Sequence, residues 1–216
     1  MEHSVLIAGA TGAVGSATLA IALKDKRVKH SITSGRRPVS GPVRPAEHWG
    51  PVEGDLVAGL RPERVDAVIS CLGTTIKAVQ GDEQAFIHVD HDLVVALGAW
   101  ASGKGVHFCV VSALGADAKS FFFYNRVKGR MEDALRKMDF AALHIFRPSI
   151  LDGHRSEQRT GESLALVTMR AIAPLLPSST RPMRVDVLGK ALVQAALTGK
   201  QGTHVHTTGS ILEMAR

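Results

Sequence analysis

Cysteine is scarce. Cys71 and Cys109 are the only two, far apart and outside any CxxC pair, so neither a disulfide framework nor a zinc ribbon is encoded. Both fall near the ends of predicted strands, where reduced buried thiols are common. Aromatic residues make up 5% of the chain and tyrosine occurs once in 216 residues. The net charge of +6 would suit a polyanion. The basic residues are scattered, however, and so few aromatics build no stacking platform, so nucleic acid is not an expected partner. That surface suits an anionic cofactor instead. No apolar run reaches membrane-spanning length, which removes a membrane partner from the expectations. The start, MEHSVLIAGA, shows no basic leader or small-residue cleavage site, which predicts a cytoplasmic protein. Repeats, low-complexity tracts and linkers are also missing. Residues 1–216 are therefore read as one domain, and a hydrophobic content of 45% is enough for its core.

What is present alternates. Apolar strand patterns at 4–8, 30–34, 65–70, 106–112 and 140–146 are interleaved with helical patterns at 13–25, 82–102 and 124–138. A proline-rich stretch between Ser40 and Asp55 reads as loop with a short strand near 51–54. Beyond Pro148 come a helix near 163–173, a helix at 186–198, a short strand at 203–207 and a terminal helix at 209–215. This is the signature of an α/β fold, a single doubly wound parallel-sheet Rossmann domain with a small C-terminal elaboration. The expected strand order is 3-2-1-4-5-6 with a short seventh strand.

The first strand runs into Gly9-Ala10-Thr11-Gly12-Ala13-Val14-Gly15. The spacing alone is weak, since about 0.2 such glycine triplets arise by chance in a chain this long. Its place between an uncharged strand and an apolar-striped helix is what gives it meaning. The first glycine allows the tight turn, the second lets the backbone approach a pyrophosphate, and the third lets helix and strand pack closely. The helix N-terminus then offers free N–H groups to phosphate.

The end of the second strand selects between nicotinamide dinucleotides. A carboxylate there binds a ribose 2′-hydroxyl, whereas arginine accepts a 2′-phosphate. The chain carries Ser34-Gly35-Arg36-Arg37, with no acid between Asp25 and Glu47. Adjacent guanidiniums make bidentate contacts to phosphate and stack on adenine, so NADP(H) is expected over NAD(H).

Ser112 ends the strand that precedes Tyr124, and Lys128 follows that tyrosine by four residues, on the same helix face. The trio falls at the carboxyl edge of the sheet, where open α/β folds bind ligands. A free phenol is a poor base at neutral pH, and a neighbouring cation favours its phenolate. Tyr124 is thus a candidate to exchange a proton with a carbonyl or alcohol oxygen during hydride transfer, with Ser112 donating to the same oxygen.

On these residues the chain resembles an atypical short-chain dehydrogenase/reductase. It is similar to the Tat-interacting-protein branch and to bacterial relatives labelled nucleoside-diphosphate-sugar epimerase-like or NAD(P)H-binding. The resemblance runs from Val5 to about Arg155, through GATGAVG, GRRP, CLGTT, VSALGAD, YNRVK and FRPSILDGHR. It implies that Gly9 to Gly15 face the pyrophosphate and that Arg36 and Arg37 meet the 2′-phosphate. Asp55 and Leu56 would border adenine, and Cys71, Leu72 and Gly73 would pass under the adenosine ribose. Ser112, Tyr124 and Lys128 would be the catalytic trio. Pro148, Ser149 and Ile150 would meet the nicotinamide carboxamide through backbone groups. Ser149 departs from the glycine of many relatives, and the large C-terminal domain of sugar-nucleotide epimerases is not expected. The resemblance implies an NADP(H)-dependent oxidoreductase of a small carbonyl or alcohol. Its alternatives are a non-catalytic NADPH-binding regulator or redox sensor with a protein partner, and an epimerase-like activity.

Other polar groups carry weaker signals. His88, Asp90, His91 and Asp92 cluster on one helix, and His88 and Asp92 have the spacing of a metal pair. Lacking a third ligand at matching spacing, they read as solvated polar groups, and no metal is expected. His204 and His206 share one face of a strand. His154 and Arg155 fall over the substrate side, taken as 152–182. Apolar faces on the 82–102 and 124–138 helices would permit a homodimer.

Overall fold

The computed structural model describes residues 2–39, 47–51, 55–61, 65–152, 182–198 and 200–216. Its first half is β1 (His3–Ala8), α1 (Ala13–Ala22), β2 (Val28–Ser34), β3 (Glu47–Trp49) and β4 (Ala67–Ser70). One long helix follows in three parts, α2 (Glu83–Ile87), a π-helical turn (His88–Asp92) and α3 (Leu93–Ala101). Then come β5 (His107–Val111), α4 (Phe123–Leu135), β6 (Ala142–Arg147), β7 (Leu151–Asp152) and β8 (Met183–Arg184). The chain finishes with α5 (Val185–Leu197), β9 (Gly202–Thr207) and α6 (Thr208–Met214).

Seven strands form one sheet in the order β3-β2-β1-β4-β5-β6-β9, and every pairing is parallel. This is the Rossmann-like α/β fold, with the order the sequence predicts. Successive residues of a strand face opposite layers. Val5 and Ile7 join α1, α5 and α6 in one core, while Leu6 and Ala8 join α3 and α4 in the other. The central strands are buried on both sides, so they read as unbroken apolar runs. The apolar stripes of the long helix (Val94, Leu97, Ala101) and of α4 (Val127, Met131, Leu135) are used in packing.

Several boundaries differ from expectation. The third strand is Glu47–Trp49, and the short strand expected near 51–54 lies, beyond Pro51, outside the described residues. Trp49 is buried and donates its indole N–H to Glu47 Oε1 at 2.7 Å, which draws that segment against β2. Helix α1 stops at Ala22, because the Asp25 carboxylate turns the chain by accepting from Arg27 N. Helix α4 ends at Leu135 rather than 138. A two-residue parallel pair, β7–β8, joins Leu151 to Met183 and Asp152 to Arg184, too short to leave a sequence pattern. The helix expected near 163–173 lies outside the described residues, as does most of the 152–182 substrate side.

Candidate functional site

The β1–α1 corner is built to leave room for a ligand. Gly9 sits at φ +79°, and a side chain there would press on the Cys71 carbonyl. A Cβ on Gly15 would collide with the Gly9 carbonyl, whereas Gly12 faces open space apart from that same oxygen at 3.4 Å. Helix α1 has Gly12 at its N-cap, with no capping side chain and no acid in its first turn, so its leading amides keep their donors for an anion. Thr11 and Gly12 are exposed, while Ala10 and Gly15 are buried and Ala13 and Val14 half-buried. On either side of β1, the buried hydroxyls of Ser34 and Ser70 have no partner among the described residues. A glycine-lined cradle with donors and orphan hydroxyls fits a dinucleotide diphosphate.

Arg36 and Arg37 follow β2 on the surface, and neither makes an ion pair with another described residue. Asp55 spends its Oδ1 on the amides of Val57 (2.7 Å) and Ala58 (3.3 Å), so it shapes its own loop. Leu56 beside it is buried.

Past β4, Cys71, Leu72 and Gly73 run along the same edge. Burial pushes the Cys71 thiol up to about 12, partly offset by its contact with Thr18, which keeps it protonated and inert. Cys109 lies fully buried inside β5 rather than at its end, and its thiol is pushed further up. Below Gly73 lies a pair the sequence did not show. Lys128 Nζ stands 2.8 Å from Asp90 Oδ1, with side chains 4% and 1% exposed. Asp90 also accepts from Thr74 N at 2.7 Å, and Lys128 reaches the Val111 carbonyl at 3.4 Å. A side chain at Gly73 would stand 3.3 Å from Asp90 Oδ1 and 3.9 Å from Lys128 Nζ. Asp90 is therefore an interior ion partner rather than a solvated group. The π-helical turn changes the facing of this stretch, turning Asp90 inward while His88 and Asp92 stay exposed.

Tyr124, one helical turn before Lys128, is 44% exposed. Buried Phe86 packs edge-on against it at 5.8 Å and against Phe123 at 5.4 Å. Asp82 caps the start of α2 through Gln84 N and Ala85 N, fixing the helix that carries Phe86.

Ser112, expected to donate to the reacting oxygen, is engaged inside the fold. It is buried, and its hydroxyl donates to Glu132 Oε1 at 2.5 Å rather than opening to the sheet edge. Glu132 is itself buried and takes Arg147 through both oxygens (2.9 and 2.6 Å) and Arg136 at 3.3 Å. The Glu132 side holds the Arg147 guanidinium above its ordinary value, chiefly through the hydrogen bond. Two carbonyls of the Pro148–Ile150 stretch are also engaged. Pro148 O accepts from Leu114 N (3.1 Å) and Ile150 O from Met183 N (2.8 Å). Buried Ser149 lies between them.

His204 and His206 belong to a larger group on one sheet face. His144 Nδ1 lies 3.0 Å from His206 Nε2, and its ring stacks 5.0 Å from that of His204. Burial, then the neighbouring imidazoles, lowers His144 to about 3 and His206 to about 4. A cleft of about 260 Å³ between α1 and α5 lies elsewhere, and its Asp25, Arg27 and Gln194 are bound to one another. His154 and Arg155 fall outside the described residues.

No protein-family model matches the chain. Among curated proteins it is 34% identical over 137 residues to mitochondrial fmp52 of Emericella nidulans, covering 62% of this chain and 58% of that protein. To mitochondrial fmp52 of Aspergillus niger it is 30% identical over 214 residues, 92% of this chain and 89% of that one. A 101-residue stretch is 40% identical to HTATIP2 of Rattus norvegicus, covering 46% of this chain and 41% of the rat protein. In the first and third of these alignments the chain spans less than two-thirds of its relative. Two solved structures share the fold. MoeE5 in complex with UDP-glucuronic acid and NAD superposes with a TM-score of 0.68 at 13% identity, over 98% of this chain and 81% of that one. The Bacillus anthracis dTDP-4-dehydrorhamnose reductase in complex with NADP gives 0.63 at 13% identity, over 100% and 81%. The mitochondrial names of the fmp52 relatives overturn the cytoplasmic location predicted above. That expectation rested on the residues before β1, which carry no information about how relatives are sorted.

Proposed function

The chain belongs to the fmp52 family, and on that premise we propose that it is an NADP(H)-dependent oxidoreductase of carbonyls or alcohols, of the short-chain dehydrogenase/reductase type that its motifs resemble. One observation carries the proposal. The glycine-built, uncapped β1–α1 corner shares a sheet edge with Tyr124, which stands one turn from a buried Lys128–Asp90 pair.

Gly9 to Gly15 would hold the diphosphate, Arg36 and Arg37 the 2′-phosphate, and Lys128 a ribose hydroxyl. When bound, the nicotinamide dinucleotide supplies or accepts the hydride at the substrate carbon. In reduction, Tyr124 gives its phenolic proton to the carbonyl oxygen, which becomes the alcohol, and regains a proton from solvent across its half-exposed ring. In oxidation the phenolate takes the hydroxyl proton. Asp90 and the Val111 carbonyl hold the Lys128 ammonium in place one turn from the phenol. The relatives' names support a mitochondrial setting for this chemistry.

A second reading is favoured by Ser112, whose hydroxyl is committed to Glu132. A protein that binds NADPH and signals through a partner needs no oxyanion donor. Tyr124→Phe separates the two. An oxidoreductase loses about 100-fold or more in kcat, the usual worth of a positioned acid, while keeping its NADPH affinity. Turnover left unchanged by this substitution contradicts the proposed mechanism.

A further inference from the structure

Eight large hydrophobic side chains are exposed among the described residues. Six of them, Ile76, Leu114, Phe121, Phe122, Tyr124 and Ile150, follow β4, β5 or β6 or open α4. Those three strands are neighbours in the sheet, so their loops leave the same edge side by side. Leu114 N donates to Pro148 O at 3.1 Å, which ties the β5 loop to the β6 loop. Phe86 joins Tyr124 to Phe123 from below. Phe121 and Phe122 stand highest, at 93% and 70% exposure, with their rings edge-on at 6.1 Å. Among the described residues, six of the eight exposed apolar side chains therefore lie on the edge that carries the proposed proton donor.

The charges nearest this surface are largely spent on the protein itself. Arg126 donates through Nη1 to the carbonyls of Ser120 and Phe121, at 2.9 Å each, and so props the two phenylalanines outward. Asp117 accepts from Lys119 N at 2.8 Å. Arg147 is bound to Glu132 beneath the edge. Among the described residues, Lys77 and Lys119 remain as exposed cations on these loops. A nucleotide-linked sugar needs converging cations and polar donors, whereas the described residues of this rim offer mainly hydrocarbon. Single exposed apolar residues are ordinary, but several gathered on neighbouring loops of one reacting edge mark a binding surface.

We infer that the edge around Tyr124 takes an apolar substrate, a medium- or long-chain aliphatic or aromatic carbonyl or alcohol, with Phe121 and Phe122 as its specificity-determining rim. This inference rests on the oxidoreductase reading and names its substrate class.

The test is calorimetric binding of 1-butanol, 1-hexanol, 1-octanol and UDP-glucose to the full chain, with and without NADPH. Affinity should rise about three- to fourfold per added methylene, the yield of burying each CH₂. A Phe121→Ser, Phe122→Ser variant should lose at least about tenfold in octanol affinity while binding NADPH within about twofold of the parent. Affinity independent of chain length, or UDP-glucose bound more tightly than octanol, overturns the inference. So does a variant that keeps its octanol affinity and loses self-association in sedimentation, because the rim is then an interface between copies. Failure to bind NADPH sinks the oxidoreductase reading instead, and the alkanol series still reports on the rim.

Discussion

Lys128 Nζ lies 2.8 Å from Asp90 Oδ1 in the interior, beneath the loop that carries Gly73. Removing one member of such a pair strands a buried charge, which costs about 3–5 kcal/mol, whereas replacing both with apolar groups is often neutral. Asp90→Leu and Lys128→Met should each lower unfolding free energy by that amount in urea titrations. The double variant should recover most of it and stay without turnover, since the ammonium is gone. Single variants within about 1 kcal/mol of the parent would show the pair to be solvated.

Ser112 and Glu132 form the second such connection. Ser112→Ala should cost about 1–3 kcal/mol, the usual penalty for leaving a buried charged acceptor short of a donor, and should leave kcat within about threefold of the parent. A drop of about 100-fold in kcat with unchanged stability would return Ser112 to the reacting oxygen and show that its bond to Glu132 is given up during turnover.

At the β1–α1 corner, a methyl on Gly15 has nowhere to go but into the Gly9 carbonyl. Gly15→Ala should destabilise the fold by about 1–3 kcal/mol, as overpacking does, and weaken NADPH binding in calorimetry by displacing the turn. Stability and affinity equal to the parent would show that helix and strand have slack there.

The imidazoles supply a pH dependence. His144 is lowered to about 3 and His206 to about 4, burial being the main cause of both. A lowered folded pKa means that the unfolded chain binds protons first as pH falls below about 6.5. The contribution is complete above that value and is lost progressively toward pH 3–4. Both groups keep part of their contact with solvent, so the effect is modest. Tm should fall by roughly 3–6 °C between pH 7 and pH 5, a window above the titration of ordinary carboxylates. His144→Leu with His206→Leu should flatten that slope, and an unchanged slope would assign the acid limb to other groups.

The fold was legible because its signals are local. β1, β4 and β5 are apolar runs buried on both faces, and the glycines of the first turn stand beside them in sequence. What escaped the sequence depends on contacts across the sheet or on one-residue shifts of facing. Asp90 sits in HVDHD, a polar string that looks solvated until a π-helical turn points its middle residue inward. Ser112 looks like a free strand-end hydroxyl because Glu132 meets it only once α4 has packed. His144 hides in the apolar strand ALHIFR, and its partners arrive from an edge strand 62 residues later. The pairs β7–β8 and β2–β3 are too short for any periodicity to announce. The spacing of Lys128 four residues after Tyr124 was the one clue to the buried pair, since a lysine turned inward needs a carboxylate.

The most direct measurement is the affinity of the purified chain for NADPH and NADH by titration calorimetry, before and after Arg36→Ala with Arg37→Ala. NADPH should bind more tightly than NADH, and the double variant should lose about 10- to 100-fold in NADPH affinity with little change for NADH. No affinity for either nucleotide would contradict the proposed function, and equal affinity untouched by the arginines would contradict the assignment of the 2′-phosphate.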